Sequence, residues 1–154
     1  ASQADDAPTD PDASATGQAS GEEGHGRLRL VDVDTERDAS SGVAVTVELE
    51  WDGEIHSGSA RGVGTSTVEI RLGAEATLEA LCLCAEDPEF ARLVGVKTVH
   101  AFDSQVILVS VRCREAPGRN LVGAVPVEGK DTTRTAAAAV LDAVNRVVGP
   151  ALNG

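Results

Sequence analysis

The sequence predicts an α+β fold of tandem, pseudo-symmetric βββα units, each an antiparallel three-stranded sheet packed by one helix. Two observations carry that expectation. Ala74-Glu75-Ala76-Thr77-Leu78-Glu79-Ala80-Leu81 is echoed by Ala137-Ala138-Ala139-Val140-Leu141-Asp142-Ala143-Val144. Each octet follows three strand-like runs, and the third run of each block carries a glycine, Gly58 in one and Gly123 in the other. The match therefore spans a whole supersecondary unit, with repeats at 27–87 and 92–148 inside one domain over 27–150.

The first run, Arg27 to Asp34, places Leu28 and Leu30 on one face and then shifts to Val31 and Val33. Such a shift marks either a bulge or a strand covered on both sides. From Val43 to Trp51, Val43, Val45, Val47, Leu49 and Trp51 alternate with Ala44, Thr46, Glu48 and Glu50, which predicts a strand with one core face and one wet face. Asp52-Gly53 suits a tight hairpin turn, and Glu54 to Gly62 returns as the third strand. Ser66-Thr67-Val68-Glu69 has capping-box spacing, so the helix is expected to begin near Thr67 with serine and glutamate oxygens on its first free amides. Ile70, Ala74, Leu78, Leu81 and Ala85 form the buried stripe opposite Arg71, Glu75 and Glu79, and Asp87-Pro88 ends the helix.

The second unit repeats the plan. Leu93 to Phe102 is its first strand, Asp103-Ser104 the turn, and Val106 to Arg114 the second strand, opening on the apolar run Val106-Ile107-Leu108-Val109. Ala116-Pro117-Gly118-Arg119 turns into a third strand, Leu121 to Val127. Asp131 caps a helix from Thr132 to Val148, whose buried stripe is Ala137, Val140, Leu141, Val144 and Val148.

Charge divides the chain. Of its 25 acids, six lie in residues 1–26, which hold none of the 13 Lys and Arg and almost no apolar side chains. Such a segment cannot offset its chain entropy by burial and is expected to be a disordered acidic tail. The rest is still acidic, which argues against nucleic acid, where a basic face must replace counterions. No apolar run approaches the ~20 residues of a membrane span, and no signal peptide opens the chain, so a cytoplasmic protein is expected. Three cysteines without a secretory framework read as reduced thiols.

Few residues point to chemistry. Gly62-Val63-Gly64-Thr65-Ser66 joins a strand to a helix start, where free amides and the helix dipole attract anions. The loop lacks the lysine of a Walker motif and the third glycine of the dinucleotide fingerprint, so turn chemistry alone also explains it. Asp131, at the equivalent place in the second unit, would repel an anion. His25, His56 and His100 have no ligand spacing, and Cys82 and Cys84 on one helix point about 200° apart, so neither metal nor cofactor is expected. Ser57-Gly58-Ser59 lies within a strand and is no nucleophile elbow.

The two units, the Gly62-Val63-Gly64 loop, and Asp131 with Ala139, Leu141, Ala143, Asn145 and Arg146 resemble the C-terminal regulatory and dimerisation domain of 2-isopropylmalate synthases and citramalate synthases. The likeness covers Leu28 to Val148. Thr65-Ser66 departs from the proline and small apolar residue usual after the glycines, and the chain holds no counterpart of the catalytic barrel. What the resemblance implies is a homodimer with small-molecule effector sites near the loop and the second helix start. The implied ligand residues are Gly62, Gly64, Thr65, Ser66, Asp131 and Thr132.

A non-catalytic module is therefore expected, a homodimer that binds a small effector or docks on a partner protein, with no nucleic acid or membrane partner. The rival readings are a small enzyme using loop 62–66 with His56 as general base, and a structural or assembly subunit. A dimer is expected because Val106 to Val109 and the Leu28–Val33 shift place apolar side chains on both strand faces, of which a second copy would cover one. Its contact is expected to include Val106, Leu108, Val109 and Val111. Deleting residues 1–26 should leave the melting temperature nearly unchanged, which thermal denaturation of the shortened chain will check.

Overall fold

A computed structural model describes residues 28–153, so the expected acidic tail lies outside the described residues. The order is β1 (Arg29–Arg37), β2 (Gly42–Trp51), β3 (Glu54–Val63), α1 (Ser66–Ala85), β4 (Ala91–Ala101), β5 (Ser104–Cys113), β6 (Leu121–Pro126) and α2 (Thr132–Asn153). Strands β1-β2-β3 form one antiparallel sheet and β4-β5-β6 a second, so the tandem βββα architecture stands. Helix α2 runs to Asn153 instead of stopping near Val148. The side chain of Val148 lies outside the described residues.

The shift in β1 is a bulge. Leu30 pairs with Leu49 and Asp32 with Glu48, leaving Val31 unpaired between them. The extra residue resets the alternation, so Leu28, Leu30 and Val33 all turn to the core. β4 bulges at the matching place, where Leu93 pairs with Val111, Gly95 with Ser110, and Val94 is left 45% exposed. Both long hairpins close with two residues at positive φ: Asp52 and Gly53 in the first unit, Phe102 and Asp103 in the second. The second turn thus sits one residue earlier than the sequence implied, since Ser104 already pairs with Ala101. A bulky aromatic in the left-handed region is unfavourable, so Phe102 carries no turn signal in the sequence.

Helix and sheet meet through backbone. A Cβ on Gly58 would overlap the carbonyl of Ala76 and the amide of Ala80, and one on Gly123 would overlap those of Ala139 and Ala143. The helices meet each other at Gly73, where a Cβ would lie 2.8 Å from the Thr133 carbonyl and 3.4 Å from the Ala136 methyl. Each helix also reaches the other unit's first strand, α1 against β4 and α2 against β1. The Leu28 amide donates to Asn145 Oδ1 at 3.3 Å and the Thr35 and Thr133 hydroxyls pair at 3.1 Å, tying β1 to α2. Because α1 is covered on several sides, its buried set is wider than the expected stripe and includes Leu72, Ala76, Ala80 and Thr77. The Thr77 hydroxyl is satisfied by donating to the Gly73 carbonyl at 2.7 Å.

Capping splits between the units. Asp131 caps α2 as expected, its Oδ1 accepting from the Arg134 amide and the Thr133 hydroxyl, each at 3.0 Å. The capping box of α1 does not form: Thr65 holds the cap position without a side-chain bond, and Ser66 is already helical. Glu69 turns instead to Arg37, whose charge-assisted bonds outcompete a neutral amide.

Gly58→Ala and Gly123→Ala should each destabilise the protein by about 1–3 kcal/mol or more, since the helix backbone must move to admit the methyl. Leu78 and Leu141, both buried, should each cost about 2–5 kcal/mol when cut to alanine. Urea denaturation will test both pairs, and pseudo-symmetry requires similar losses within each pair.

Candidate functional site: a cleft at the helix starts and an apolar sheet face

The starts of α1 and α2 lie at one end of the molecule beside the end of β1. Two hollows open there, of about 410 Å³ and about 480 Å³, and Arg37 lines both. The first includes Asp38, Arg61 and Gly62; the second includes Thr35, Glu69, Asp131 and Thr132. Of the six expected ligand residues, Gly62, Asp131 and Thr132 thus border these hollows, and Gly64, Thr65 and Ser66 line neither. Gly64 has a turn role: its φ is 146°, its amide donates to the Ser41 carbonyl at 3.2 Å, and a Cβ would press on Val68.

Arg37 and Glu69 are the residues that sequence reasoning missed. The guanidinium grips the carboxylate with two bonds, Nε to Oε2 at 2.8 Å and Nη2 to Oε1 at 2.6 Å. Those bonds hold the Glu69 carboxyl below its ordinary range and raise Arg37. In the adjoining turn, the amide of Gly42 and the hydroxyl and amide of Ser40 lower Asp38 in the same way. The cleft therefore presents fixed charges of both signs and threonine hydroxyls, a lining suited to a small molecule carrying a carboxylate and a second polar group.

The residues of the rival enzyme reading, His56 and loop 62–66, are not brought together. His56 lies six residues before Gly62 on the same extended strand, which separates them by about 20 Å. Burial pushes the Cys84 thiol up to about 11 and raises that of Cys113, so neither is an activated nucleophile. Among the described residues no cluster of three or more His, Cys, Asp or Glu side chains is placed to hold a metal.

The outward faces of the two sheets differ in character. That of the first carries Asp32, Asp34, Glu36, Glu48 and Glu50, with Asp32 directly opposite Glu48. With bulges and glycines aligned, Asp32 corresponds to Gly95, Glu36 to Val99, Thr46 to Leu108, Ser57 to Val122 and Ser59 to Ala124. At these five positions the second sheet is apolar where the first is acidic or hydroxylated, whereas Asp34, Glu48 and Glu50 correspond to Lys97, Ser110 and Arg112, and the first sheet keeps exposed Ile55 and Val63 near the ends of β3. A hollow of about 330 Å³ lies on this face, lined by Gly95, Lys97, Leu108, Ser110 and Val122, the last 58% exposed. Phe102, wholly exposed, tips the hairpin at one end. The expected dimer contact needs correction: Val106 and Leu108 face outward, but Val109 and Val111 alternate inward and are fully buried in the monomer's own core.

No protein-family model matches the chain, and no curated protein matches it either.

Acidification will test the Arg37–Glu69 pair. Because the folded-state pKa of Glu69 is lowered, its contribution is present above the unfolded value near 4.3 and is lost as pH falls through the folded value. Glu69→Gln should therefore flatten the acid limb of the melting curve below about pH 4.3 and lower the melting temperature slightly at neutral pH.

Proposed function

We propose that this protein is a non-catalytic regulatory and dimerisation module, in which two copies meet through the outward face of the second sheet and the cleft at Arg37 takes a small effector. One observation carries the reading: at five outward positions the second sheet is apolar where its pseudo-symmetric twin is acidic or hydroxylated, with Lys97, Ser110 and Arg112 as the polar residues around them. The fold itself does not require apolar residues there, since the first sheet tolerates carboxylates at the same places. An apolar surface left in water favours association.

Self-association also fits the relief of the face, where Gly95 leaves a hollow close to the ridge of Val122, as an isologous contact requires. Arg92 faces Arg112 at the end of the sheet away from Phe102. A two-fold axis across the strands keeps these guanidinium groups of the two copies apart and sets them toward the other copy's aromatic tip, where cation and ring attract. The effector reading draws on the mixed charges of the cleft and on the resemblance noted from sequence. An amino or keto acid is the chemistry that such a lining fits.

Sedimentation of the full chain should show a dimer at micromolar concentration. Leu108→Asp should give a folded monomer, because Leu108 faces outward and lies outside the buried core. A monomer persisting at high micromolar concentration would sink the dimer. Stabilisation by one amino or keto acid in a thermal-shift screen, abolished by Arg37→Ala, is the expected sign of the effector; turnover of the compound would favour the enzyme reading instead.

A further inference from the structure

A further hollow, roomier than the two at the helix starts, is remote from them. A groove of about 560 Å³ runs along the free face of α1, from Arg71 to Glu86, and is closed on its far side by the start of β4. Fifteen helical residues span about 22 Å, so the groove is long and narrow. Its floor is apolar, made by Leu78, Leu83, Ala91 and Leu93, with Leu83 49% exposed. Glu75, Glu79, Glu86 and Asp87 stand around it, against Arg71 as the one cation in the lining.

Three of these acids already have work. Glu75 pairs with Arg71 at 3.0 Å, Asp87 with Arg114 at 2.9 Å, and Glu79 accepts from the Ser59 amide at 2.5 Å. Glu86 has no such partner among the described residues and caps α1 in a left-handed conformation, φ 57°. The last turn of α1 holds no basic residue, so the negative end of the helix dipole is uncompensated and has Glu86 and Asp87 beside it. The other repeat lacks this pattern: Glu75, Leu83 and Glu86 correspond by the 63-residue offset of the octets to Ala138, Arg146 and Gly149. Leu78 and Glu79 are matched by Leu141 and Asp142, so what distinguishes α1 is the added Glu75, Leu83 and Glu86.

We infer that this groove is a docking site for a positively charged amphipathic helix of a partner protein, its apolar stripe on Leu78, Leu83 and Leu93 and a Lys or Arg at the Glu86 end. The length fixes an elongated occupant, and charge complementarity fixes its sign. The site lies on α1 and the inward-facing start of β4, not on the outward face proposed for the dimer, and does not depend on it.

The test uses the full chain and a labelled synthetic 18-residue helix with Leu at i, i+3, i+4 and i+7 spacing and Lys elsewhere, read by fluorescence anisotropy. Binding should weaken at least tenfold in Glu75→Gln/Glu86→Gln and in Leu83→Ser, both at surface positions. It should change less than twofold in Glu36→Gln/Glu48→Gln, which removes equal charge from the first sheet, and in Leu108→Asp. No binding, or equal loss from the two charge-removing variants, would overturn the proposal by showing general attraction to an acidic protein. Decyltrimethylammonium binding in place of the peptide would overturn it in favour of a small amphiphile. Leu108→Asp remaining dimeric, and losing that dimer with Leu83→Ser added, would show that a second copy occupies the groove.

Discussion

The backbone contact between each helix and the glycine of its third strand sets the dimensions of everything else. At Gly58 and Gly123 the helix lies so near the sheet that no Cβ fits between them. A helix seated that low can carry only small residues over the glycine, which is why Ala76, Ala80, Ala139 and Ala143 recur at matching positions. The thin layer leaves room for Val, Leu and Ile from the flanking strands and for few rings, so that Trp51 and Phe90 are the aromatics of the core. Gly73 against Thr133 and Ala136 extends the same close approach to the helix pair. Dispersion at such short range rewards every matched atom and penalises any added one.

That constraint explains what the sequence made legible. Period-two alternation in β2 and the paired octets are local signals, and both survive in the fold. The run Val106 to Val109 was ambiguous because both of its faces are apolar, and alternation cannot then say which parity is core. The pairing decides it: Val109 lies opposite Gly123, the glycine beneath α2, so Val109 and Val111 go in while Val106 and Leu108 go out. Arg37 with Glu69 was illegible for another reason. The two are 32 residues apart, and the serine three positions before Glu69 offered a local partner that the tertiary ion pair displaced. Phe102 was hidden by propensity, since turn chemistry favours Asp-Gly and gives no signal for a phenylalanine at positive φ.

Comparison of the repeats with each other separates what the fold demands from what it merely permits. Bulge, strand glycine, helix alanines and the leucines at 78 and 141 occur in both units, and each has a packing reason. Outward sheet positions and the free face of α1 differ between the units, and packing gives no reason for the difference. Divergence at solvent-facing positions inside an otherwise matched pair is where function has room to reside. The acidic first sheet keeps one flank well hydrated, leaving the apolar centre of the second sheet and the α1 groove as the surfaces able to gain by being covered.

The edges of the sheets point the same way. An unpaired strand edge offers free amides and carbonyls to another chain, and both third strands are edge strands. In each, the amide just after the packing glycine is already taken by a helix carboxylate: Ser59 by Glu79 and Ala124 by Asp142 at 3.1 Å. On the opposite edges, β1 and β4 are bulged and lean on the other unit's helix, which twists and partly covers them. Continuation of either sheet by strand pairing would have to break a charge-assisted bond on one side or straighten a bulge on the other. A face-to-face contact disturbs neither, so the edges put no obstacle in the way of the association proposed for the outer face of the second sheet.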